Sequence, residues 1–167
     1  MTTTARLVLD DCRGALAEIT DPVQGAEWRR RWIVAVVLLR AVGHVLDKID
    51  ADSNHAHRLV VDQWWSDLKA KKPKPEIFWR FIEEERNNFI KEYRTSAGQG
   101  VSVRLSGMEF NLQNGTTKID PPMPSTYHYV INSGHFAGKD QRDLIREAIS
   151  WWESELDGID ARVSRLA

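Results

Sequence analysis

The sequence contains little that would tie it to a disulfide scaffold, a membrane or DNA. Its single cysteine, Cys12, cannot form a disulfide within the chain and cannot alone build a cysteine-type zinc site. The 23 lysines and arginines against 24 acidic residues give a net charge of -1, which removes the electrostatic case for general DNA binding. The longest apolar run, residues 32–39, is far shorter than the roughly 20 residues of a membrane span. Because residues 1–5 are polar and carry no signal-peptide pattern, we expect a cytoplasmic protein.

Short signatures of common catalytic and cofactor sites are also lacking. The sequence has no Gly-x-x-x-x-Gly-Lys phosphate loop, no dinucleotide fingerprint and no Gly-x-Ser-x-Gly nucleophile turn. His55 and His57 are two residues apart, so on a helix they point to different sides. No Glu-x-x-His pair occurs of the kind that di-iron bundles use. We therefore expect neither a metal nor a cofactor.

Helical periodicity dominates the sequence that remains. The 167 residues are 42% hydrophobic, which suits one domain spanning residues 1–167. Apolar residues recur at helical spacing in five segments, at about residues 4–19, 26–49, 54–69, 76–94 and 140–163. The first half of the second segment is apolar on all sides, which predicts a central helix packed against several neighbours. Asp140 is the expected N-cap of the last helix.

The stretch from about residue 100 to 136 has a different pattern. Residues 101–105 and 127–131 alternate like strands, and Asn114-Gly115 is a strong hairpin signal. Asp120-Pro-Pro-Met-Pro124 is expected to be extended and irregular. The sequence therefore predicts a mainly α fold. We expect an up-and-down bundle of four or five helices with a small β-hairpin insertion before the C-terminal helix.

Glu85 and Arg86 are the most informative charged residues of the predicted fourth helix. At 3.6 residues per turn, Glu85 falls within the arc of Phe78, Phe81 and Phe89, on an otherwise apolar face. Buried charges are costly unless they are paired and hydrogen-bonded. The two residues therefore either form a structural ion pair or line a cleft or subunit interface in which their charges are used. Asn87 and Asn88, which are poor helix formers, favour the polar cleft.

A second polar cluster lies on the predicted second helix. Arg40, His44, Asp47 and Lys48 share one side of it. Histidine changes its charge near neutral pH, and an arginine one turn away suits a phosphate or carboxylate. These residues are either a candidate site or simply the solvent-facing side of the helix.

The tryptophans occur partly as adjacent pairs, Trp64-Trp65 and Trp151-Trp152. On a helix, one indole of each pair faces the core and the next lies roughly 100° away. Trp65 and Trp151 are therefore candidate interface residues of a homodimer, since tryptophan is enriched at interface hot spots. The alternative is that both rings of each pair are buried between helices.

Glu85-Arg86-Asn87 on an amphipathic helix resembles the Arg-Asn start of the motif in HEPN-type helical-bundle proteins. The resemblance covers at most residues 4–94. It implies a homodimer with Arg86 and Asn87 in a shared cleft, and an association with toxin–antitoxin or phage-defence systems. Where the family's motif has a histidine, this chain has Lys91, Glu92 and Tyr93. The resemblance therefore implies a degenerate HEPN-like protein that binds RNA or a nucleotide phosphate near Arg86.

Three other functions remain open at the level of sequence. One is a non-enzymatic accessory or antitoxin-like module that binds a protein partner through its tryptophans and hairpin. Another is a HEPN-like, metal-independent RNase in which Arg86 acts with a histidine outside the motif, for which His44 is the candidate. The third is an enzyme whose site lies near His128 and His135.

Overall fold

The structure is a computed structural model that describes residues 1–21, 23–102, 108–111, 116–119 and 126–166, and side chains outside 101–127. It is mainly helical, with an antiparallel strand insertion before the last helix, which confirms the predicted fold class. The five α-helices in these ranges are α1 (Thr3–Glu18), α2 (Gly25–Val45), α3 (His55–Ala70), α4 (Glu84–Glu92) and α5 (Gln141–Ser164). None of the helices within the described ranges is long and apolar enough to cross a membrane.

The predicted second helix does not continue as a regular α-helix to residue 49. After α2 the chain forms a π-helical turn, Leu46–Asp50, and then a 3₁₀ turn, Ala51–Ser53. The carboxylate of Asp50 is buried and accepts hydrogen bonds from the backbone N–H groups of Thr4 and Ala5, at 3.0 and 2.8 Å. These N–H groups have no partner within the first turn of α1. The widened turn thus ties the end of α2 to the start of α1.

The predicted fourth helix is also divided. Its first half is a π-helical segment, Ile77–Glu83, and only Glu84–Glu92 is the α-helix α4. A π-helical turn holds more residues than an α-helical turn, so it shifts which side chains share a face. On a regular helix Ile82, Arg86 and Ile90 would share one face, but this face is not uniformly buried: Ile82 is fully buried, whereas Ile90 is 53% exposed.

The insertion contains two antiparallel strand pairs. Strand β1 (Ala97–Ser102) pairs with β4 (Thr126–Ile131), and β2 (Met108–Asn111) pairs with β3 (Thr116–Ile119). β1 begins at Ala97 rather than at about residue 101, so the strand starts earlier in the chain than predicted. The rest of the predicted first strand (103–105), the Asn114-Gly115 turn and residues 120–124 lie outside the described residues.

The core is rich in aromatic rings and is centred on Phe78, which is fully buried. Four indoles have ring centroids 4.9 to 5.9 Å from the Phe78 ring, those of Trp65, Trp79, Trp151 and Trp152. The Trp152 Nε1–H donates to the backbone carbonyl of Leu39 at 2.8 Å, so its polar atom is satisfied inside the core. Gly43 permits this approach of α5 to α2, because a Cβ there would lie 3.0 Å from the Trp152 ring.

Candidate functional site

Glu85 is a buried carboxylate surrounded by neutral hydrogen-bond donors. Only 3% of the residue is exposed. Its Oε1 accepts from Trp32 Nε1 at 3.1 Å and from Thr95 Oγ1, and its Oε2 accepts from Ser96 Oγ at 2.7 Å. The backbone N–H of Ser96 also donates to Oε1, at 3.0 Å. Glu85 therefore joins α2, α4 and the chain entering β1.

The ion pair considered between Glu85 and Arg86 is wrong. All the donors to Glu85 named above are neutral, and Arg86 Nη1 donates instead to the amide oxygen of Asn87 at 2.9 Å. Arg86 is half-buried, and it forms no ion pair within the described part of the chain. The separation has a simple cause: adjacent residues on a helix point about 100° apart, so Glu85 faces the core and Arg86 the surface. The guanidinium of Arg86 therefore has a neutral hydrogen-bond partner and no counter-ion among the described residues.

Arg40 lies on α2 over the aromatic core. Its Nε donates to Glu83 Oε2 at 3.0 Å, and its guanidinium carbon lies 5.8 and 5.7 Å from the ring centroids of Trp65 and Phe78. Both contacts suit a planar cation. Its Nη1 is buried and has no hydrogen-bond partner among the described residues. Arg40 is therefore held in place by Glu83 and two rings, with one of its donors buried and unpaired.

His44 is exposed on α2, one turn beyond Arg40. Partial burial and the positive charges of Arg40 and Arg86 lower the pKa of His44 below its ordinary value of 6.5, against the opposing charges of Asp47 and Glu83. The imidazole is therefore mainly neutral at pH 7. The fold brings Arg40, His44 and Arg86 into one electrostatic cluster, although Arg86 is on a different helix.

The pKa of His44 should therefore change when one of the two arginines is replaced. Replacing Arg86 with Gln removes one of the charges that oppose protonation, so we expect the pKa of His44 to rise. The measurement is an NMR pH titration of the His44 ring protons in both proteins. Arg29→Gln is the control, because Arg29 is an exposed arginine near the other end of α2, and it should leave the midpoint unchanged. An equal shift in both variants would contradict the cluster.

Because the pKa of His44 is lowered in the folded protein, protonation of this residue destabilises the fold. The imidazolium is disfavoured in the folded protein relative to the unfolded chain. The stabilising contribution of a neutral His44 is therefore fully present above pH 6.5 and is lost as the pH falls through the folded-state pKa.

Asp47 and Lys48 belong to a separate network. Asp47 is held by Lys48 at 2.7 Å and by Arg58 at 3.2 Å, and Arg58 also pairs with Asp52 and Asp62. This part of the charged side of α2 stabilises its junction with α3, so it is not a second half of the candidate site.

The two candidate interface tryptophans are half-buried. Trp65 and Trp151 both contact the Phe78 ring, with centroids 5.7 and 5.3 Å away. Much of each indole therefore packs within the chain. Their role in a dimer stays a prediction.

A group of exposed apolar side chains lies on α2 and α4. Val34 and Val37 of α2 are 49% and 37% exposed, and Ile90 of α4 and Tyr93 just after it are 53% and 68% exposed. Phe89 connects them, because it lines a small cleft with Val37 and contacts the Tyr93 ring at 5.1 Å. The prediction that α2 packs against several neighbours is confirmed, since it contacts α1, α4 and α5, but this side of the helix is exposed. We call these five residues the α2/α4 apolar face.

His128 and His135 have different surroundings. His128 lies on β4 opposite Gly100 of β1. His135 lies after β4 and its Nε2 is 3.1 Å from Glu76 Oε2. Glu76 precedes the π-helical segment, so His135 fixes the strand insertion to the helical bundle.

Metal ligands do not converge in the part of the chain that the structure describes, where no group of three His, Cys, Asp or Glu side chains is placed to hold an ion.

Comparison of the chain with protein-family models, with curated proteins and with solved structures finds no match. The candidate site therefore rests on its own geometry.

Proposed function

We propose that this chain binds the phosphate of an RNA or a nucleotide in a cleft formed by Arg40, His44, Arg86 and Asn87. The observation that carries the proposal is that Arg40 pairs with Glu83, three residues before Arg86, and that the charges of both arginines act on the exposed His44. Phosphate is the anion that suits this arrangement, since arginine binds its oxygens through paired N–H donors. The proposal assumes a cytoplasmic protein.

The two arginines have different parts in this proposal. Glu83 and two aromatic rings hold Arg40 in place, so it supplies positive potential rather than a direct phosphate contact. Among the described residues, Arg86 donates only to Asn87, a neutral partner that a phosphate oxygen displaces at little cost. Arg86 is therefore the main phosphate ligand. His44 contributes a ring N–H without a fixed charge.

We propose further that a second copy of the chain covers the α2/α4 apolar face. Arg86 and Ile90 are one turn apart on α4, so this face borders the phosphate cleft. A symmetric contact there brings the Arg86 groups of both copies close to one cleft, as the HEPN resemblance implies. Sedimentation at micromolar concentration should give the mass of a dimer, and a monomer would contradict this part of the proposal.

The test of the phosphate cleft is Arg86→Gln. Because Arg86 has no buried charged partner, we expect the free energy of unfolding to change by less than about 1 kcal/mol. Binding of AMP, measured by calorimetry, should weaken by about tenfold or more, as expected for loss of a charged hydrogen bond to phosphate.

Arg29→Gln is the matched control, because it removes the same charge from an exposed position on α2. It should leave AMP binding within about twofold of the unmodified protein, since distant exposed charges are screened by salt. Equal weakening by both variants, or none by Arg86→Gln, would contradict the proposal. Absence of AMP and RNA binding in the unmodified protein would favour the protein-interaction module instead.

RNA cleavage is a second candidate, favoured by the lowered pKa of His44. A neutral imidazole is a competent general base at pH 7 and lies in the field of two cations that suit a phosphate. We expect His44→Gln to abolish cleavage of an RNA oligonucleotide but to weaken its binding only slightly, because the glutamine amide still offers an N–H donor in place of the ring N–H. An unmodified protein that binds the RNA without forming products would eliminate this candidate and retain the binding function.

A further inference from the structure

An open pocket of about 370 Å³ has Asn87, the hydrogen-bond partner of Arg86, in its lining. Its lining includes Lys72, Trp79, Arg80, Glu84, Asn87 and Asn88. A volume of this size is typical of sites for small organic groups. Because Arg86 donates to Asn87, the pocket and the phosphate cleft share a side chain. Anything bound at Arg86 therefore has this pocket as its neighbour.

The lining of the pocket suits a nucleobase. Trp79 is half-buried and its ring is covered by the ammonium group of Lys72, 4.7 Å from the centroid. Lysine carries this group on a flexible stem, so a base can take its place on the indole while the ammonium moves to a phosphate. The amides of Asn87 and Asn88 offer donors and acceptors that match the edge of a base. The carboxylate of Glu84 suits an amino group or a hydroxyl.

The segment next to the pocket is strongly basic. The lysine loop, residues 69–74, contains Lys69, Lys71, Lys72 and Lys74, all exposed. None of the four forms an ion pair in the described part of the chain, and neither does Arg80. Since the whole chain has a net charge of -1, this concentration of unpaired cations is local. Such a basic patch beside an aromatic ring is typical of surfaces that bind single-stranded nucleic acids.

We propose that the pocket at Trp79 receives one unpaired base of a single-stranded nucleic acid whose backbone runs from Arg86 across the lysine loop. This inference rests on the phosphate binding proposed above and extends it from one nucleotide to a strand. A duplex is a poor ligand, because its bases are already stacked and cannot enter the pocket. Because the site binds one base and several phosphates, its affinity for a single strand should increase with the length of the strand.

The experiment compares Lys71→Gln/Lys74→Gln, two exposed lysines of the loop that do not line the pocket, with Arg29→Gln/Arg165→Gln, which removes two exposed charges elsewhere. The probes are a labelled single strand of about ten nucleotides, the same strand in a duplex, and AMP. We expect the lysine variant to weaken strand binding about tenfold and to reduce the salt slope by about 1.4. AMP binding should stay within about twofold, because the phosphate at Arg86 is unaffected.

Trp79→Phe and Trp79→Leu test the base pocket separately. The Phe variant retains a ring and should bind the strand normally, whereas the Leu variant should weaken it about fivefold or more. Equal strand binding by these two variants, equal weakening by the two charge variants, or equal affinity for the duplex would overturn this inference. If the proposed phosphate binding were itself wrong, AMP binding would be insensitive to Arg86→Gln, which distinguishes this outcome from failure of the base pocket alone.

Discussion

Glu85→Ala should lower the free energy of unfolding by about 3 kcal/mol or more. The carboxylate is buried and accepts hydrogen bonds from Trp32, Thr95 and Ser96. Its removal leaves these donors without an acceptor and opens a cavity between α2, α4 and the start of β1. A single substitution therefore loosens two helices and the strand insertion together. Urea denaturation followed by circular dichroism measures the change.

Two controls separate this network from a general effect of charge. Glu84→Ala removes the neighbouring exposed carboxylate and should change stability by about 0.5 kcal/mol or less. Glu85→Gln keeps one carbonyl acceptor but turns an amide N–H₂ towards the remaining donors, so its cost should lie between those of the two alanine variants. Similar losses from Glu84→Ala and Glu85→Ala would contradict the role assigned to the buried carboxylate.

Local patterns predicted the helices that are regular. Helix α3 was expected at about residues 54–69 and is His55–Ala70, and α5 was expected at about 140–163 and is Gln141–Ser164. Asp140 accepts a hydrogen bond from the backbone of Arg142 at 2.7 Å, as its expected role of N-cap requires. Periodicity and capping act within a few residues along the chain, so the sequence contains the information that sets these helices.

The π-helical segments could not be predicted in the same way. Both replace regular turns where a polar side chain makes a distant contact: Asp50 with the start of α1, and Glu85, just after the second segment, with Thr95 and Ser96. Hydrophobic spacing does not report such contacts, because the partners belong to other elements. The exposed valines of α2 were missed for a related reason, since an apolar face does not reveal whether a neighbour covers it.

The candidate site was predicted in composition but not in arrangement. Arg40, His44 and Arg86 were each candidates from residue type and helical position. Their convergence depends on the packing of α2 against α4, which are separated by α3 and the π-helical segment. The lysine loop falls between two predicted helices and contains prolines that break helices, so its sequence alone does not indicate a binding role. Its position beside Asn87 follows from tertiary structure alone.

Phe78→Ala should cost about 4 kcal/mol, within the range for truncating a buried phenylalanine. The ring is fully buried among four indoles, so its loss leaves a cavity that these rigid side chains cannot easily fill. It also supports Arg40, whose guanidinium lies over it. We therefore expect weaker near-ultraviolet circular dichroism and weaker AMP binding together, although Phe78 does not line the phosphate cleft.

Phe89→Ala is the matched control, because Phe89 is a half-buried phenylalanine on α4. It should cost about 1 kcal/mol and leave the near-ultraviolet spectrum of the tryptophans unchanged. A more conservative change, Phe78→Leu, keeps most of the volume and should recover most of the stability while still losing ring contacts with the indoles. If Phe78→Ala and Phe89→Ala had equal cost, the aromatic cluster would not be the centre of the core. If Phe78→Ala left AMP binding intact, Arg40 would be held by Glu83 alone.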